Sequence, residues 1–67
     1  MEANDSLLTP EEVAAVLSVA PSTLVRWRRQ TRRLKEPVGP EWLELGHRTV
    51  RYKRSDVQAW IAERANG

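Results

Sequence analysis

Apolar residues return at helical spacing in three stretches of this chain and alternate with polar ones in a fourth. From Pro10 to Leu17 the run PEEVAAVL places Val13, Val16 and Leu17 on one side of a helix. A dense start signal precedes it. Thr9 is placed to cap the amide of Glu12, Glu12 can reach back to the amide of Thr9, and Pro10 takes the first helical position, where its missing N–H costs nothing. Leu8 and Val13 flank the cap as a hydrophobic staple. Ala14 and Ala15 are small, and one of them, Ala14 in preference, is expected to let a second helix pass close. Ser18-Val19-Ala20 then breaks the pattern. Pro21 pushes Ala20 out of the helical region, so a tight turn is expected there, with Val19 plugging the angle between two helices.

The second helical stretch, Pro21 to Lys35, reads PSTLVRWRRQTRRLK. At 100° per residue, Leu24, Trp27, Thr31 and Leu34 fall on one side, and Ser22, Arg26, Arg29 and Arg33 on the other. Leu24 and Trp27 are expected to seat the helix on a core. Glu36-Pro37-Val38-Gly39-Pro40 cannot continue a helix and reads as a loop. Trp42–Leu45 and Thr49–Tyr52 are β-rich runs about Gly46-His47-Arg48, the pattern of a short hairpin. Alternation puts Leu43 and Leu45 on one face and Trp42 and Glu44 on the other; on the second strand Val50 and Tyr52 share a face against Thr49 and Arg51. A two-stranded hairpin is not stable alone, so it must pack on the helices. Ser55 with Gln58 opens the third helical stretch, which runs to about Ala65 and buries Val57, Trp60 and Ile61. Asn66-Gly67 ends it.

Length changes the picture little: 67 residues make one small domain, expected over 7–65 behind a frayed, polar Met1–Ser6. Such a chain buries only about 60% of its unfolded surface. It has no cysteine, hence no disulfide, thiolate metal site or thiol nucleophile, and a reducing cytosol fits. No apolar run approaches the length of a membrane span, and the acidic start is no signal peptide.

Charge changes the picture more. The net charge is +2, but residues 26–54 hold ten basic groups against three acidic ones, while residues 1–25 hold four acids and no Lys or Arg. The second helical stretch carries six basic residues and no acid. Such self-repulsion suggests a negative partner that relieves it. Positive charge gathered in one block of a small domain is the footprint of a nucleic-acid binder. Two helices joined by three residues, the second one basic, make a helix-turn-helix; an ordinary helical corner with a solvated basic face is the plainer alternative.

In a major groove the N-terminal half of such a helix reaches base edges. Ser22, Thr23, Arg26, Arg29 and Gln30 are placed for this, Arg26 foremost. Arg28, Arg32, Arg33 and Lys35 are assigned to phosphates, adding affinity and salt dependence. His47, Arg48 and Arg51, then Lys53 and Arg54, form a second basic group. They can lie along the backbone or enter a minor groove; Lys53 and Arg54 are equally readable as solvated residues ahead of a helix.

The runs LLTPEEVAAVLSVAPSTLVRWRRQ and GHRTVRYKRSDVQAWIAERA resemble the small winged-helix domains shared by phage excisionases, AlpA-like proteins and the DNA-binding heads of MerR-type regulators. The resemblance covers nearly all of residues 7–65. It implies a mainly α fold with a short β-hairpin, a winged helix-turn-helix. In it Pro21–Arg33 would enter the major groove and Trp42–Tyr52 would form the wing. Three departures stand out: Ser18 where glycine is frequent, Ala20 where a capping Ser is common, and a longer link to the wing. MerR-type regulators add a coiled coil and an effector domain, and the sequence stops at Gly67, so an excisionase is the closest expectation. The resemblance then implies an accessory factor that loads cooperatively on repeated sites, contacts other copies of itself and a phage integrase, bends double-stranded DNA and does no chemistry. It would act in the bacterial cytoplasm, on the nucleoid, with no cofactor, metal, small-molecule ligand or membrane. The rival readings are a small transcriptional regulator and a protein-interaction module docking through Trp42 or the basic helix. An enzyme is the weakest reading: one His, no Cys, no phosphate loop and no clustered carboxylates.

Overall fold

The structure is a computed structural model that describes residues 6–65. Six elements follow one another: β1 (Leu7–Leu8), α1 (Pro10–Leu17), α2 (Pro21–Leu34), β2 (Leu43–Gly46), β3 (Thr49–Lys53) and α3 (Arg54–Ala65). The architecture is a winged helix-turn-helix. The expected hairpin is part of a three-stranded antiparallel sheet with β3 in the centre. The extra strand pairs Leu7 with Lys53 and Leu8 with Tyr52. Two residues are too few to show alternation, so β1 had no signature in the sequence. Of the expected frayed segment, Met1–Asp5 lie outside the described residues. Ser6 is tied down, its carbonyl accepting the amide of Arg54 at 2.9 Å.

The local chemistry of α1 forms as its residues dictate. Glu12 donates its amide to Thr9 Oγ1 at 3.1 Å, and Thr9 donates its own to Glu12 Oε1 at 2.8 Å. The helix closes with Val19 N–H bonded to Ala14 O at 3.0 Å and Ser18 N–H to Ala15 O at 3.2 Å. This closure is the Schellman arrangement, which puts its cap residue in the left-handed region. That residue is Ser18, at φ 58° and ψ 43°. Glycine adopts this conformation freely and a side chain does not. Ala20 caps α2 with an extended backbone and no side-chain hydrogen bond.

One small core takes a residue or two from most elements: Val13 and Ala14 from α1, Leu24 from α2, Tyr52 from β3 and Val57 from α3. Leu8, Leu17, Val19, Trp27, Trp42 and Val50 pack around it. The buried Ala14 fits the expected close helix passage. Two expected core positions are exposed, Val16 at 57% and Ile61 at 36%, and Leu17 and Trp60 are half-buried. Leu34, on the apolar side of α2, is 53% exposed. The sheet and two short helices cover a narrower strip of each helix than periodicity alone allows. Leu45, at 54%, also leaves its expected alternation. A bulge between Glu44 and Gly46 adds it as an extra residue opposite the Val50–Thr49 step. At the turn, the left-handed backbone falls on Arg48, at φ 59°, and not on Gly46.

The long link to the wing is packed. Thr31 Oγ1 accepts the amide of Val38 at 2.9 Å, and its hydroxyl lies within donating reach of Trp27 O and Val38 O. Gly39 then passes over Trp27, with φ at +83°. A Cβ there would stand 2.5 Å from Trp27 Cε3. Trp27 also meets Trp60, ring centroids 5.5 Å apart and planes tilted by 44°.

Two outcomes follow. Ser18→Gly should raise stability by about 0.5–1 kcal/mol, the left-handed strain relieved less the added backbone entropy, seen as a higher urea midpoint with unchanged slope. Gly39→Ala should cost roughly 2 kcal/mol or more, because positive φ and overpacking against Trp27 act together. A thermal melt of Gly39→Ala coinciding with that of the wild type would contradict the packing described.

Candidate nucleic-acid interface

α2 is a basic helix whose sides face different surroundings. Its back is set by Leu24, fully buried, and by Trp27 and Thr31, half-buried under the linker. The opposite stripe, Ser22, Arg26, Arg29 and Arg33, is exposed along its whole length. Among the described residues no carboxylate pairs with these three arginines. Thr23 and Gln30 flank the stripe and are half-buried, and Lys35, exposed, caps the helix end in a left-handed conformation with φ 58°. Of the residues expected at base edges, Ser22, Arg26 and Arg29 therefore share one open surface. Thr23 and Gln30 stand at its margin.

The phosphate candidates divide. Arg33 and Lys35 are exposed. Arg28 and Arg32 are engaged by the protein itself. Arg28 donates from Nη1 to the buried Tyr52 hydroxyl at 2.9 Å. Arg32 pairs with Glu44, whose Oε2 also accepts Trp42 Nε1 at 3.0 Å. The Arg32 guanidinium lies 5.5 Å from the centroid of the Trp42 ring. Helical geometry explains the division: positions 28 and 32 sit one turn apart on the flank facing the hairpin. The sequence showed six cations alike; which carboxylate and which phenol would meet them depended on where the hairpin packs. Trp42 itself is half-buried against the core, which removes it as an exposed docking anchor.

The hairpin carries the second basic group. His47 and Arg48 occupy the two-residue turn and are exposed. Arg51 lies on β3 opposite Leu43, half-buried, with Nη1 on the carbonyl of Val50 at 2.7 Å. Lys53 ends β3 beside Leu7 and is half-buried. Arg54 opens α3, one residue before the expected start, and its side chain is exposed. The tip thus offers His47 and Arg48, while Arg51 and Lys53 belong to the strand body.

Trp42 Nε1 and then the Arg32 guanidinium hold the Glu44 carboxyl below its ordinary value. A depressed value in the fold means the ionised pair stabilises at neutral pH. That contribution disappears as pH falls through the folded-state value, below the range of about 4.3 where a free glutamate titrates. Glu44→Gln should therefore lower the melting temperature at pH 7, and the gap from wild type should close as pH falls through the depressed folded-state value. A gap that stays constant with pH would show that the carboxylate charge contributes nothing.

Among the described residues no helix is long and apolar enough to cross a membrane. In comparison with known families, the helix-turn-helix domain matches residues 7–65. Searches of curated proteins and of solved structures returned no match.

Proposed function

The chain belongs to the helix-turn-helix domain family, which includes small excisionase- and AlpA-like proteins, and from that premise we propose that it is a sequence-specific double-stranded DNA-binding accessory factor of the excisionase kind. DNA binding is what the family implies. The observation that supports reading of a duplex is the open stripe Ser22–Arg26–Arg29–Arg33, backed by a buried Leu24 and free of internal carboxylates among the described residues; the excisionase role rests on the family resemblance. A helix held this way can lie in a major groove without first breaking contacts of its own.

Arg26 is the principal base reader, able to bridge guanine O6 and N7, with Ser22 and Arg29 beside it and Thr23 and Gln30 at the margin. Arg33 and Lys35 meet phosphates. His47 and Arg48 reach the backbone or an adjacent minor groove, and Arg51, Lys53 and Arg54 add positive potential behind them. So few phosphate contacts leave one copy weakly bound, and loading of several copies on adjacent sites offsets this. In this reading the assembled copies bend the DNA and direct an integrase toward excision of a prophage. No bond is made or broken by the protein. A small transcriptional regulator would use the same surface and is separated by where it binds.

A footprint over a candidate attachment region, with rising protein, should give regularly spaced protections that appear together. A single protected site at a promoter would favour the regulator. Arg26→Ala should weaken binding to the selected site by roughly 1–3 kcal/mol and relax preference at one base pair. Arg33→Ala should weaken all sequences alike and reduce the slope of log K against log salt by about 0.9. Wild-type protein that shifts no duplex at low salt would sink the DNA reading.

A further inference from the structure

The hairpin meets α2 through long side chains, and these form a connected bridge. Arg32 pairs with Glu44, Glu44 Oε2 accepts Trp42 Nε1 at 3.0 Å, and the Arg32 guanidinium lies over the Trp42 ring at 5.5 Å. One turn earlier, Arg28 reaches Tyr52 on β3. The main body of β3 packs on α1 and α3, so β2 is the outer strand of the wing. Its bulge at Leu45 interrupts the ladder next to the tip. A two-stranded ribbon broken this way has little stiffness of its own. We propose that Arg32, through Glu44 and Trp42, is a positioning residue that fixes the angle of the wing against α2 and so sets how far the tip cations His47 and Arg48 stand from the groove-reading stripe.

This reassigns Arg32 from the phosphates, and it rests on the DNA-binding reading. Two features favour it. A phosphate approaching Arg32 meets the negative Glu44 at once, so the residue is poorly placed to bind one. The guanidinium also serves two partners at once, lying over the indole of Trp42 while it pairs with Glu44, and its fork of donors suits both better than a compact ammonium does. Arg32 and Glu44 side chains are 56% and 51% exposed, so substitution there leaves the core intact.

The test uses the full chain, a duplex carrying the site that the wild type selects from a random library, and the variants Arg32→Lys, Glu44→Ala and their combination. Arg32→Lys keeps the charge a phosphate needs and loses the fork. Each single change should weaken binding by about three- to tenfold, and the double should be no weaker than either single, because all three break one unit. Hydroxyl-radical protection should fade under the wing and persist under α2. Arg32→Lys binding as the wild type does would overturn the proposal. So would Glu44→Ala binding more tightly with a steeper salt slope, the result for an unmasked phosphate contact, or strictly additive losses. Wild-type protein with no selected site would overturn the DNA reading itself, a result distinct from all of these.

Discussion

The burial of one side of α2 is the constraint on which the molecule depends. A helix with six cations and no acid within Pro21–Lys35 resists its own formation. Tertiary packing has to hold it. Leu24 is removed from water entirely, and Trp27 packs against the backbone at Gly39 and the ring of Trp60. The linker that looked long in the sequence is the outer wall of this seat. Thr31 hydrogen-bonds it in place, and glycine at position 39 lets it approach an indole more closely than any side chain permits.

That seat sorts the arginines. Once Leu24 points inward, helical geometry turns positions 28 and 32 toward the hairpin and positions 26, 29 and 33 toward solvent. The first pair is spent on Tyr52, Glu44 and Trp42; the second group keeps its donors. In a domain this small, the same residue type therefore does two jobs. Rigidity of the unit and availability of its charge come from neighbouring turns of one helix. The backbone of α2 is held by its buried side, while its exposed arginines keep their rotamer freedom.

Much of the local structure was legible because its causes lie within a few residues. The reciprocal cap of Thr9 and Glu12, the break before Pro21 and the inward Leu24 follow from chemistry that acts over one turn. Ser18 was readable as a departure, and its left-handed backbone is what the helix ending demands. The strand at Leu7–Leu8 and the bulge at Leu45 were not readable. Each exists only because β3 lies alongside to pair with it. The exposure of Val16 and Ile61 was missed for a related reason: period shows which side of a helix is apolar, while the neighbours decide how wide a strip of it is covered.

The sequence by itself determined the order of the three helices and the hairpin, the helix-turn-helix and the concentration of positive charge on its second helix, since spacing and capping are properties of short stretches. Only the tertiary structure decided which of those charges stay free. Arg32 is neutralised by a carboxylate twelve residues away along the chain, and a partner at that separation is chosen by how the hairpin packs, which no local pattern of residues specifies.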